Sequence, residues 1–191
     1  MCNKLIFHKT QGINYNNSIT CKKLNSYVYS SGENKVTIDL TSEDIDKLIE
    51  EEKILPDDFR DLLNPRNKRG HKEAQLKVMG EKGSIFFVII RQSIKDLLDF
   101  SVILGYQIPN TNRKFRLRRY NGKTHEHTNG IEGEKFFNYH IHKATERYQE
   151  QGKAPDVYAE ETDRYVDLQG AVQCLLDDCG FVLPKQTQLS F

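Results

Sequence analysis

Along residues 98–108, LDFSVILGYQI, apolar side chains recur at every second position: Leu98, Phe100, Val102, Leu104, Tyr106 and Ile108. So long an alternation does not fit a helix and predicts an antiparallel strand with one face on a core. The same reading extends into a meander. EAQLKVM (73–79) alternates, GEKG (80–83) supplies a turn, and SIFFVIIRQ (84–92) is apolar on both faces, as a central strand is. After a PNTN turn comes KFRLRRY (114–120), where period two sends Phe115 and Leu117 inward and Arg116, Arg118 and Tyr120 outward. FFNYHIH (136–142) puts His140 and His142 on one face and Tyr139 and Ile141 on the other. If these last two strands are neighbours, they form a basic, imidazole-lined strip.

Helical spacing appears towards both ends. KVTIDL (35–40) reads as a short strand running into TSED, where Thr41 caps a helix with Asp44 three residues on. Ile45, Leu48 and Ile49 share one face of that helix, which ends near Lys53. Pro56, Asp57 and Asp58 start a second, with Phe59, Leu62 and Leu63 inward until Asn64-Pro65 stops it. RNKRGHK (66–72) reads as a charged loop. KATERYQEQ (143–151) is a short helix whose first amides, just past His142, favour an anion. DLQGAVQCLLDDCG (167–180) is an amphipathic helix capped by Asp167, with Leu168, Ala171, Val172, Leu175 and Leu176 inward and Gly180 at its end. The expected fold is α+β: a central antiparallel sheet, an N-terminal helical pair and a C-terminal helix. Residues 35–184 form the domain, between an irregular arm at 1–34 and a tail at 185–191.

Composition narrows the classes. A chain of 191 residues can bury a core without disulfides or structural metal. Its net charge of +1 leaves any attraction to nucleic acid to local patches. Cys2, Cys21, Cys174 and Cys179 show no CxxC spacing, which points to reduced thiols in a cytoplasmic protein. No apolar run approaches the ~20 residues of a membrane span, and the start MCNKLIFHKT is too weakly apolar for a secretory signal.

The candidate chemistry lies in FRLRRYNGKTHEHTNGIEGEKFFNYHIHKATERY (115–148). His125, His127, His140 and His142 stand there with Arg116, Arg118, Arg119 and Arg147. One reading is metal-independent phosphoryl transfer on RNA: one imidazole takes a proton, another returns it, and an arginine stabilises the added negative charge. It assigns His125, His127, His140, His142 and Arg118 to catalysis. Arg116, Arg147, Lys68, Arg69 and Tyr120 bind the anion, and neither cofactor nor metal is required. Arg119, of opposite parity to Arg116 and Arg118, is free to pair with a carboxylate. Two other readings stand beside it: metal binding by the His-x-His pairs, and a hydrogen-bonded cluster that fastens loops over the sheet. The Asn-Gly pairs at 121–122 and 129–130 read as turns.

RLRRYNGKTHEHTN, then YHIHKATERYQEQGK, DVYAEETDRY and a closing helix, resembles a bacterial and phage protein family without an established activity, over about residues 70–180. More distantly, an arginine-bearing strand followed by paired histidines is similar to TumE-family toxins, and the element order is similar to RelE-type ribonuclease toxins. These resemblances imply an RNA-directed role of the toxin or defence kind. The alternative is a non-catalytic phage or mobile-element protein that inhibits a nucleic-acid-handling machine, as anti-CRISPR and anti-defence proteins do. The closing residues QTQLSF resemble peptides that dock on the replication sliding clamp, with Leu189 and Phe191 in an apolar pocket and Gln186 or Gln188 hydrogen-bonding beside it. Packing of those side chains against the chain's own domain is the other reading of the tail.

Overall fold

A computed structural model describes residues 40–184 of the chain. The strand expected over 35–40, the arm and the tail with Gln186, Leu189 and Phe191 lie outside these residues, Leu40 apart. Helix α1 (Ser42–Glu50) begins as its sequence dictates. The Thr41 hydroxyl accepts from the Asp44 amide, and the Asp44 carboxylate accepts in return from the Thr41 amide, so two otherwise orphaned donors are satisfied. Lys53 lies beyond this helix, in the two-residue strand β1 (Lys53–Ile54). The second helix, α2 (Phe59–Leu62), is a single turn that buries Phe59 and Leu63 but leaves Leu62 exposed.

The expected charged loop at 66–72 is instead a hairpin: β2 (Arg66–Lys68) pairs with β3 (His71–Met79), and the turn between them uses Gly70 at φ 87°. Then follow β4 (Ile85–Ser93), β5 (Phe100–Gln107), β6 (Lys114–Asn121), and the small hairpin β7 (His127–Thr128) with β8 (Lys135–Phe136). β9 (His140–Lys143), α3 (Glu146–Glu150), β10 (Ala159–Glu161), α4 (Leu168–Asp178) and β11 (Phe181–Val182) complete the order. Seven strands join in one antiparallel sheet in the order β10-β9-β6-β5-β4-β3-β2. β11 lies parallel to β1 in a separate two-stranded sheet.

One sheet face carries α1, α2 and α4. There they close a core that includes Ile45, Phe59, Val102, Leu117, Leu175 and Leu176. Each such leucine contributes about 1.5–3 kcal/mol by leaving water. α4 is held at its start by the Asp167 carboxylate, which accepts from the Gly170 amide. The α+β reading is thus the observed fold, with a central antiparallel sheet, a helix near each end and the second N-terminal helix reduced to a turn.

One irregularity decides what the other face presents. Leu104 of β5 pairs with Arg118 of β6 but Gly105 pairs with Arg116, so Leu117 is an extra residue in β6. Such a bulge reverses the inside-outside parity beyond it. Phe115 and Leu117 point into the core as period two predicts, but Tyr120 does so too and is fully buried. Its hydroxyl donates to Asp178 on α4. The outward expectation for Tyr120 therefore fails, and Arg119 and Asn121 take the outer face of the sheet.

Candidate functional site

Registers on the face opposite α1, α2 and α4 align side chains from several strands into rows. Glu73, Arg91, Ser101, Asn121 and His140 lie opposite one another across five strands, and Arg119 lies opposite His142 in the next row. The outer residues of β3 to β6 line a groove of ≈ 620 Å³ with His71, Glu73, Arg91, Asp99, Arg119 and Asn121 among its walls. Glu73 is neutralised in place by Lys68 at 2.6 Å and Arg91 at 3.4 Å. The groove ends at Asn121 and His125.

At that end the chain between β6 and β9 folds over the sheet and brings the four histidines together. His127 from β7 stacks on His140 with ring centroids 5.2 Å apart and meets His142 edge-on at 4.8 Å. His125, exposed at the groove, meets His140 edge-on at 5.6 Å. His127, His140 and His142 each offer a ligand atom, and these atoms all lie within 4.8 Å of one another. His140 is 0% exposed, His142 3% and His127 9%.

The surroundings fix which nitrogens carry protons. His140 Nδ1 is 2.7 Å from the Asn138 carbonyl, so it donates, and Nε2 is a lone pair. Asn129 clamps the covering loop to the sheet: its Oδ1 accepts from the Ala159 amide at 2.9 Å, and its Nδ2 donates to the Ala159 carbonyl at 2.8 Å. The same Oδ1 lies 3.0 Å from His127 Nε2, which therefore donates to it. Asn121 Nδ2 lies 3.3 Å from Nε2 of both His140 and His142. Asn121 Oδ1 is buried and makes no hydrogen bond, and His142 Nδ1 is buried with no closer polar neighbour than a loosely aligned Val157 backbone. The loop has further ties: Tyr148 donates to Glu132 at 2.7 Å, and Arg147 forms an ion pair with Glu132.

Burial keeps these imidazoles neutral. It lowers the pKa of His142 to about 2, with the Arg119 guanidinium and the His140 and His127 rings adding to the effect. Burial likewise brings His140 to about 4, against the opposing Asn138 carbonyl, and it also lowers His127. Arg119 is itself three-quarters covered and pairs with Asp156 at 3.6 Å, while Arg116 meets the same carboxylate at 3.0 Å. The carboxylate partner anticipated for Arg119 is thus Asp156.

Of the residues singled out in the sequence, the structure brings together His125, His127, His140 and His142. Arg118 lies on the opposite face, beside Tyr120, Lys143, Glu160 and Asp178, because the bulge turns it away from the histidines. Arg147 is spent on Glu132, Lys68 on Glu73, and Arg69 is exposed at the β2–β3 turn. The helix expected from Lys143 begins only at Glu146, and the amides just past His142 are engaged, Ala144 donating to the Leu117 carbonyl and Thr145 to the Pro155 carbonyl. Sequence reasoning passed over Asn121, Asn129, Arg91 and Asp156. The run Leu117-Arg118-Arg119-Tyr120, whose apolar positions are three apart in a strand, was the available sign of the bulge. Gly122 also has a role beyond turning: a Cβ there would lie 1.7 Å from the Leu98 carbonyl oxygen, so only glycine lets β6 leave the sheet at that point.

Among the described residues no helix is long and apolar enough to cross a membrane. Comparison of the chain with protein-family models, with curated proteins and with solved structures finds no match.

Proposed function

We propose that this protein is a metal-dependent hydrolase of phosphodiesters, with RNA as its substrate class, and that His127, His140 and His142 hold the ion. The observation that carries the reading is the convergence of three buried, neutral imidazoles whose ligand atoms lie within 4.8 Å of one another. Acid–base catalysis between His140 and His142 needs one of them protonated near neutral pH, and burial opposes that in both. A neutral imidazole is what a divalent transition metal requires, and three histidines with an open position suit catalytic zinc and its neighbours. The Asn138 carbonyl and the Asn129 amide supply the outer hydrogen bonds that orient such ligands. A bound ion would supply an activated water and a Lewis acid. Arg91 and Arg119 in the adjoining groove, now paired with Glu73 and Asp156, would hold a phosphate by exchanging those carboxylates for it, and His125 stands at the groove's end to pass a proton.

One observation favours a second reading, in which the cluster only fastens the 122–138 loop: the Asn121 amide already satisfies a nitrogen on both His140 and His142. Elemental analysis separates the two. The wild type should carry about one transition metal per chain, absent from the His140→Ala/His142→Ala variant, and should cut single-stranded RNA until the metal is chelated. RNA binding should weaken with salt, and more so in wild type than in Arg91→Ala. Undiminished cleavage by metal-free protein would restore the acid–base account. Neither metal nor cleavage, with a large loss of melting temperature in the double variant, would leave the fastening role.

A further inference from the structure

We infer that Asn121 is the fourth protein ligand of this centre, its side-chain amide turning over as the ion enters so that Oδ1 replaces Nδ2 against the histidines. The inference rests on the three-histidine reading above. Asn121 is 4% exposed, lies opposite His140 in the strand register and touches both paired histidines. Its Nδ2 stands at 3.3 Å from two Nε2 atoms, one of which, on His140, must be a lone pair because Nδ1 donates to Asn138. The amide N–H groups therefore occupy the directions along which those lone pairs would reach a metal. On the other branch of the same side chain, Oδ1 is buried without any hydrogen bond. An unpaired buried acceptor beside a paired donor is an arrangement that a half-turn of the amide reverses.

A cation at the convergence point repels the N–H donors and takes the Nε2 lone pairs from them. Rotation about the terminal side-chain bond then offers a carbonyl oxygen, a neutral and hard donor suited to divalent metals. The displaced NH2 takes the buried position that Oδ1 leaves. A weakly held amide oxygen is also the ligand most readily exchanged for water or substrate, which keeps a position available for chemistry. Asn121 in this scheme holds the site closed without metal and completes it with metal.

The test is titration of the metal-free full-length protein with cobalt(II), followed by its visible d–d absorption, for wild type, Asn121→Ala and Asn121→Asp. Loss of a ligand should weaken cobalt binding by tenfold or more in Asn121→Ala and change the shape and intensity of the d–d bands. Asn121→Asp, nearly isosteric and anionic, should restore a wild-type-like spectrum with equal or tighter binding. Unchanged affinity and bands in Asn121→Ala would overturn the inference while leaving the three histidines as ligands. Tighter binding by Asn121→Ala would also overturn it, because the amide would then be only a competitor for the site. If the wild type itself takes up no cobalt, the three-histidine reading falls and this inference falls with it. Asn121→Asp tests the ligand role should the alanine variant fail to fold.

Discussion

The buried ammonium of Lys53 and the buried histidine cluster differ in what is left over once their hydrogen bonds are assigned. Lys53 is 0% exposed, yet its ammonium donates to the carbonyls of Leu48, Ile49, Glu51 and Cys179 at 2.5–3.0 Å. Those oxygens belong to the last turn of α1, the residue after it and the end of α4, so one cation caps two helix C-termini. Every proton it carries is used. In the histidine cluster the balance is reversed: three neutral rings and one amide leave a ring nitrogen and an amide oxygen unpaired. A satisfied network specifies a fold; one that converges on unspent lone pairs has chemistry to spare for a ligand.

The largest effect expected from breaking this contrast is at Lys53. Lys53→Met keeps the apolar stem, which lies with its ammonium 4.2 Å from the Phe86 ring centroid, but strands several buried carbonyls at two helix ends. At about 1–3 kcal/mol for each unsatisfied group, the loss should reach at least ~3 kcal/mol in urea unfolding. The folded fraction should still bind metal with unchanged stoichiometry. A variant as stable as the wild type would show that α1 and α4 are not joined through this ammonium.

Acid separates the same two centres. Burial lowers the Lys53 pKa only to about 8, so the ammonium remains charged below pH 7 and adds no slope there. The histidines do add one. Unfolded imidazoles take up protons near pH 6.5, whereas His140 resists until about 4 and His142 until about 2, with His127 also lowered. The unfolded state therefore binds more protons below pH 6.5, and stability of the metal-free protein falls as pH drops from about 6.5 towards 4. Each imidazole contributes up to about 1.4 kcal/mol per pH unit. Urea midpoints at pH 7, 6 and 5 should fall more steeply for wild type than for His140→Gln/His142→Gln. Parallel slopes would mean that the rings are not held neutral.

How much of this was legible in the chain follows from the range of each signal. Local patterns were readable: the Thr41–Asp44 box, the Asp167 cap and the alternation of β5 all depend on residues a few positions apart. The gathering of four histidines was readable in part, because two His-x-His pairs on chain segments that return to one sheet have few other places to go. The bulge left only a faint sign, the three-residue spacing from Leu117 to Tyr120, because the register shift itself depends on the pairing of β6 with β5. That single extra residue exchanged Arg118 and Tyr120 for Arg119 and Asn121 at the site. Asn121 and Asn129 were obscured for another reason: Asn-Gly is a turn signal in sequence, and only the fold brings Asn121 to His140 and His142 and places Asn129 between His127 and the edge of β10.

Asn129 gives the smallest and most selective of these tests. Its amide does two things at once, closing a pair of hydrogen bonds with the Ala159 backbone and accepting from His127 Nε2. A purely structural role and a metal-orienting role therefore predict different outcomes for Asn129→Ala and Asn129→Asp. In Asn129→Ala both functions go, and metal affinity should fall about 10–100-fold, the usual consequence of removing an outer hydrogen bond to a ligating histidine. Asn129→Asp keeps an acceptor for His127 Nε2–H but loses the donor to the Ala159 carbonyl. If orientation of His127 is what matters, the aspartate variant should bind metal almost as the wild type does, while melting earlier because the loop is less firmly tied to β10. Equal losses of metal affinity in both variants would instead make the loop's attachment, and not the tautomer of His127, the controlling feature. Competition with a chelator of known affinity, run beside thermal unfolding of the same preparations, resolves the two quantities independently.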